Sequence, residues 1–191
     1  MQAHESSVAA VHPPFKLQKT SKCWRNCRFR DSQTAAMNRE PQSPLAIQVR
    51  QITADETVPL RHAVLRPGRP VETARFPGDD LPSTKHFGAF RKGKLLCIAS
   101  LFRAELPEES GTAALQLRGM ATERAVQGTG LGRALVLGCA DFARQQGAHV
   151  LWCNARTYAA GFYRKLGFEV VGSEFDIPDV GPHYRMKLRL I

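Results

Sequence analysis

Between positions 127 and 133 the chain reads Gln127-Gly128-Thr129-Gly130-Leu131-Gly132-Arg133. Glycine at every second position lets the backbone bend sharply and approach a ligand without interference from Cβ atoms. A run with helical spacing follows at once, so the first N–H groups of that helix and the positive end of its dipole face the loop. Such a site suits phosphate oxygens, and Arg133 adds a charged donor. A dinucleotide fingerprint needs a glycine where Arg133 stands, and the chain has no Gly-Lys-Ser/Thr for a triphosphate loop. Taken alone, the segment is compatible with a phosphate cradle and with a glycine-rich turn that binds nothing.

The elements that must position this loop surround it. Residues 113–121 alternate, with Leu115, Leu117 and Gly119 assigned to one face and Gln116, Arg118 and Met120 to the other, which predicts a strand leading into the loop. Leu131, Leu135, Gly138/Cys139 and Phe142 recur at helical spacing and Gly147 closes the run, predicting a helix over 131–146. Val150-Leu151-Trp152-Cys153 reads as a buried strand, and 157–166 as a short helix with Arg164 and Lys165 in its last turn and Gly167 past its end. Upstream, 45–52 alternates as a strand, and Thr53 with Glu56 is a capping-box signature for a helix over 54–66 that Pro67-Gly68 stops. Residues 69–85, with Pro70, Pro77 and Pro82, form a long loop. A hairpin over 86–90 and 95–102 turns at Arg91-Lys92-Gly93-Lys94, and 168–171 and 183–190 supply two closing strands. Strands followed by loop, helix, strand and helix make a mixed α/β sheet.

The chain has 191 residues, 43% hydrophobic and 23% charged, enough for one domain with a sizeable core. No apolar run approaches the roughly 18 residues that cross a bilayer, and the start lacks the pattern of a secretory signal, so a cytoplasmic protein is expected. Cys97, Cys139 and Cys153 lie in apolar segments as buried thiols, while Cys23 and Cys27 lack partners at zinc spacing, and no metal is expected. Residues 1–44 are basic, proline-bearing and aperiodic, which predicts a disordered leader or a start assigned too early, with Met37 as the alternative; 45–191 is the domain. The net charge of +10 attracts anions without naming one.

A second segment, Gly161-Phe162-Tyr163-Arg164-Lys165-Leu166-Gly167-Phe168, follows the glycine loop by about 30 residues. In this order and at this separation the two resemble the GNAT family of N-acetyltransferases, across residues 45–191. The resemblance implies a GNAT-like acyl-CoA N-acyltransferase fold, α/β (α+β), with a mixed, mostly antiparallel central sheet and flanking helices, and acetyl-CoA as co-substrate. It implies that Gln127, Gly128, Thr129, Gly130, Leu131, Gly132 and Arg133 hold the pyrophosphate, and that the strand edge Met120-Ala121-Thr122 bonds the pantetheine arm as an added strand would. That strand is expected to splay from the one at 150–154, leaving a V-shaped gap for the thioester. Tyr163 is implied as the acid for the departing CoA thiolate, a role open to a phenol held within about 3 Å. Packing is its other open role, since Ala159, Tyr163 and Leu166 share a helical face. Family members often carry asparagine seven residues before this tyrosine, where this chain has Arg156. Asn154 is therefore assigned the contact to the CoA arm, and Arg156 a CoA phosphate.

Transfer to an amine requires the amine neutral, yet a lysine-like amine is only about one part in 10³ neutral at pH 7, so a base is expected. Glu123, just past the central strand, is the candidate base. Asp80 in the long loop, His86 and His183 are candidates to hold the acceptor; each also reads as a solvated charge or a packed imidazole. Glu174, Asp176, Asp179 and His183 are expected in one loop, which suits an amine-bearing acceptor better than an acidic one. The acceptor is then a small-molecule or protein amine; a homodimer is compatible with the sequence, and neither a membrane nor nucleic acid is an expected partner. Two other functions stand beside this one. A module that holds acyl-CoA without transferring it would leave Tyr163 idle. A nucleic-acid-binding protein would suit the charge, but the basic residues are scattered and no groove-reading motif accompanies them.

Overall fold

The computed structural model describes residues 46–190. The leader 1–44, Met37, Cys23 and Cys27 lie outside the described residues. The described chain folds as β1 (Gln48–Ile52), α1 (Ala54–Leu65), β2 (Lys85–Arg91), β3 (Lys94–Arg103), β4 (Ala114–Thr122), α2 (Leu131–Gln145), β5 (Val150–Arg156), α3 (Ala160–Arg164), β6 (Glu169–Ile177) and β7 (Gly181–Arg189). The seven strands form one sheet in the order β1-β2-β3-β4-β5-β7-β6. Every neighbouring pair is antiparallel except β4 and β5, which run parallel.

The helix start at Thr53 follows from its side chain. The Thr53 hydroxyl accepts from the Glu56 amide (3.2 Å) and the Glu56 carboxylate accepts from the Thr53 amide (2.7 Å), closing the capping box. The β2–β3 turn places Lys92 at φ 51° and Gly93 at φ 73°, the two left-handed residues that a tight two-residue hairpin demands.

Alternation along β2 and β3 sorts the helices onto opposite faces. Phe87, Ala89, Cys97, Ala99 and Leu101 form one core with Leu131, Leu135, Val136 and Cys139 of α2 and with Ala160 and Tyr163 of α3. On the other face, His86 and Ser100 meet α1 through Arg61, whose Nη2 donates to the Ser100 hydroxyl (2.6 Å). Arg61 is fully buried; it also pairs with Asp79 and stacks on Phe76 at 4.4 Å. This network ties the 69–85 loop, which contains a 3-10 turn at Val71–Ala74, to α1 and the sheet.

The structure departs from the sequence reading at two places near the cleft. Alternation along β4 does not run through to Met120. The register passes from Ser100↔Arg118 to Ile98↔Ala121, so two β3 steps face three β4 steps. Gly119, at φ +58°, supplies the bulge. Beyond it Met120 packs on the same core as Leu115 and Leu117, whereas a Cβ on Gly119 would meet Arg61 Nε at 2.7 Å. Second, Glu174 and Asp176 do not sit in a loop with His183. They belong to β6, which pairs Phe175 with His183 and Asp176 with Pro182, leaving a tight turn that includes Asp179. An edge strand with mostly exposed residues carries no apolar alternation to betray it.

Candidate active site

The parallel pairing of β4 and β5 lasts only from Ala114↔Val150 to Gln116↔Trp152. Beyond those positions the strands part, as the V-shaped gap requires. A cleft of about 890 Å³ opens there, lined from both faces of the sheet. The edge of β4 that faces the gap runs through Arg118–Thr122 without a strand beside it, so its backbone groups are open to a ligand. Met120, Ala121 and Thr122 all line the cleft; the Thr122 carbonyl already accepts from the Gln127 side chain (3.2 Å).

At the α2 end the glycine loop behaves as its composition demands. Gly128 and Gly130 take φ 76° and 89°, a region L side chains rarely enter. Gly130 is the N-cap of α2 and no side chain caps the helix. The first intrahelical bond runs from the Ala134 amide to the Gly130 carbonyl (3.0 Å), so the amides of 131–133 stand ahead of the ladder. Gln127, Gly128, Gly130, Gly132 and Arg133 line the cleft. Thr129 and Leu131 do not. The Thr129 hydroxyl donates to the Val126 carbonyl (2.7 Å), and its own carbonyl accepts from Arg91 (2.9 Å). The Leu131 side chain is in the core. Arg91, at the end of β2, thus braces the loop, and nothing in the sequence links the two positions.

Tyr163 lies inside the cleft and nearly buried, its hydroxyl donating to Met120 Sδ at 3.3 Å. Burial pushes its pKa well above the usual phenol value, and the nearby thiols of Cys153, Cys97 and Cys139 push the same way. Asn154 also lines the cleft, and its Oδ1 is buried without a hydrogen-bond partner. An orphaned acceptor at a cleft wall fits an amide N–H from a ligand. Cys153 and Ala155 belong to the α2/α3 core, so by alternation Asn154 and Arg156 face the α1 side.

The acceptor-side residues are only partly brought together. His183 lines the cleft, and its Nδ1 donates to the Gly181 carbonyl (2.7 Å). A neutral imidazole that donates from Nδ1 keeps a lone pair on Nε2. Glu123 does not line the cleft; its carboxylate pairs with Lys94 at 3.0 Å. Asp80 is exposed, lies 3.7 Å from Arg75 and is likewise outside the cleft. His86 is buried away from it, between the Ser100 hydroxyl (2.6 Å) and the Asp79 carbonyl (2.9 Å), and serves the Arg61 network. A sequence pattern cannot distinguish a histidine that fills such a network from one that meets a ligand. The cleft also includes Arg66, Phe76 and Arg118, which lie outside the two motifs, and Tyr158, three residues before the second of them.

A sheet split at a parallel pair, with an uncapped helix start on one side of the split and a phenol within it, is a geometry suited to an elongated ligand with phosphate at one end. Comparison with known proteins agrees. Residues 74–190 match the family described as the Acetyltransferase (GNAT) domain. The uncharacterized N-acetyltransferase YitI of Bacillus subtilis is 34% identical over 140 residues, spanning 73% of this chain and 94% of that protein. Among solved structures, the N-acyl amino acid synthase FeeM from uncultured soil microbes superposes with a TM-score of 0.63 at 16% identity, covering 76% of this chain and 91% of its own. An acyl-CoA N-acyltransferase from Pseudomonas aeruginosa superposes at 0.54 with 19% identity, covering 74% and 99%. The chain belongs to the GNAT family and is an acyltransferase with an acyl-CoA co-substrate.

Proposed function

We propose that this enzyme moves an acetyl group from acetyl-CoA to a primary amine by direct attack in a ternary complex. One observation carries the proposal: the β4–β5 split joins the uncapped start of α2 to the buried phenol of Tyr163 in a single cleft. When bound, acetyl-CoA supplies an acyl group already activated as a thioester. The name of YitI supports acetyl as the acyl group and nitrogen as its destination.

The chain's own residues divide the work. The amides of 131–133, with Arg133 and the dipole of α2, hold the pyrophosphate. The free edge at Met120–Thr122 and the orphaned Asn154 Oδ1 take the amide groups of the pantetheine arm. His183 accepts the proton of the incoming ammonium at Nε2, because Nδ1 is fixed as a donor by the Gly181 carbonyl. As the C–S bond breaks, Tyr163 donates its phenol proton to the departing thiolate, and the second proton lost from the attacking nitrogen as it becomes the amide restores the phenol. Its raised pKa keeps it protonated through the neutral range, so that proton is on hand.

The test is thiol release from acetyl-CoA in the presence of amines, with mass detection of the acetylated product. Tyr163→Phe should lower kcat by roughly 10²- to 10⁴-fold while the KM for acetyl-CoA changes little. Binding of acetyl-CoA without any release would instead describe a module that only holds the thioester. Equal rates for the wild type and the phenylalanine variant would remove Tyr163 from the mechanism.

A further inference from the structure

The basic residues that line the cleft are Arg66, Arg118, Arg133, Arg156 and His183, and no carboxylate lines it. Arg133 sits at the glycine loop on the α2 side. The other three arginines come from the end of α1, from β4 and from the end of β5, on the opposite face of the sheet. Among the described residues none of the three has a carboxylate partner. Arg66 donates to the Leu65 carbonyl (3.1 Å), Arg118 reaches the Pro77 carbonyl (3.5 Å) and stacks on Phe102 (4.3 Å), and Arg156 donates to the Tyr158 hydroxyl (3.2 Å). Asp79, the acid whose field Arg118 feels, is already engaged by Arg61. Glu174, Asp176 and Asp179 are exposed on the hairpin and outside the cleft.

The surroundings of Arg66 and Arg118 disfavour their charged forms. Burial lowers the pKa of Arg66, and the charges of Arg69 and Arg156 lower it further. Burial lowers that of Arg118 as well, with the Asp79 charge opposing and that of Arg61 adding to the effect. Partly desolvated like charges are costly, and a ligand carboxylate that accepts from the guanidinium forks removes that cost. The phosphates of the co-substrate have their own amides and Arg133 across the sheet, so Arg156, expected from the sequence on a CoA phosphate, faces the α1 side instead and is left for the acceptor. The cleft is also lined by the apolar Val64, Leu65, Phe76, Ile177 and Val180.

Resting on the transfer reading above, we infer that the acceptor is an apolar amino carboxylate, a hydrophobic amino acid, whose carboxylate is held by Arg66 and Arg156 while its amine faces His183. The expectation that Glu174, Asp176 and Asp179 suit an amine-bearing acceptor better than an acidic one is thereby modified: this acceptor carries both an amine and a carboxylate. Polyamines and aminoglycosides meet only like charge in this cleft.

The experiment compares phenylalanine with phenethylamine and leucine with isoamylamine, pairs that differ by the carboxylate alone, and adds spermidine. Transfer is read by thiol release and product mass, and binding by calorimetry with and without CoA. The carboxylate-bearing member should lead by about tenfold or more in kcat/KM, mainly through KM. In Arg66→Gln and Arg156→Gln that ratio should fall toward unity with acetyl-CoA affinity unchanged. Phenethylamine or spermidine matching phenylalanine, or variants that slow both members equally, would overturn the assignment. Transfer to phenethylamine without binding or reaction of phenylalanine leaves the acetyltransferase standing and removes this acceptor. Arginine-dependent binding of phenylalanine without transfer to any amine does the reverse. Neither binding nor transfer sinks both.

Discussion

At the scale of single residues, Tyr163 and Asn154 make the sharpest commitments. Tyr163 has a pKa raised by burial, so its acid form persists up to and beyond the ordinary phenol value of about 10. A raised pKa moves the loss of the protonated form to higher pH, never lower. Loss of the Tyr163 proton should therefore not limit kcat below pH about 10. An alkaline limb with an apparent pKa below 9 that vanishes in Tyr163→Phe would contradict this account. Asn154 Oδ1 has no protein partner, so Asn154→Ala breaks no bond made through that oxygen. The variant should weaken acetyl-CoA binding by about tenfold, one lost hydrogen bond, with little change in melting temperature. Calorimetry and thermal denaturation on the same preparation decide it. Cys97, Cys139 and Cys153 should resist Ellman's reagent until the protein unfolds, because burial raises all three thiols, Cys97 to about 11 despite its hydrogen bond to Thr122.

At the scale of elements, the phosphate loop depends on backbone conformation rather than on side chains. Gly130→Val places a β-branched residue at φ +89°, where it costs about 1–2 kcal/mol or shifts the loop. CoA affinity should fall far more than the stability of α2, since that helix is secured by the core. A CoA dissociation constant unchanged in the variant would exclude the loop as the anion site. These elements were largely legible in the sequence: the capping box at Thr53, the positive-φ glycines before α2 and the buried apolar run of β5 are local signals, and the structure forms each of them. What stayed hidden is non-local. The Gly119 bulge arises from pairing with β3 and changes which side of the sheet receives Met120. The length of β6 comes from β7 rather than from its own pattern. The grip of Arg91 on Thr129 needs the sheet to exist first. Glu123 and His86 looked as suitable as His183 for the same reason, because only the fold engages the first with Lys94 and the second with Ser100.

At the scale of the molecule, one buried polar network holds the α1 side of the cleft together. Arg61 and Asp79 are almost wholly buried, and Arg61 Nε and Asp79 Oδ1 find no hydrogen-bond partner. Removing one member strands the other's charge, so Arg61→Ala should cost about 3–5 kcal/mol in urea unfolding. A double variant, Arg61→Met with Asp79→Leu, should lose less than Arg61→Met or Asp79→Leu alone; a loss equal to the sum of those two singles would show the pair to be uncoupled. The network also holds Phe76 and Pro77 against the cleft, so damage to it should appear in the acceptor KM before the acetyl-CoA KM. No helix among the described residues is long and apolar enough to cross a membrane.

The most direct measurement is a crystal structure of the protein with CoA bound. The account predicts the pyrophosphate on the amides of residues 131–133, the pantetheine arm along Met120–Thr122 with an amide donated to Asn154, and the sulfur within about 3.5 Å of the Tyr163 hydroxyl. CoA lodged elsewhere, or a sulfur that reaches the cleft remote from that hydroxyl, would contradict it.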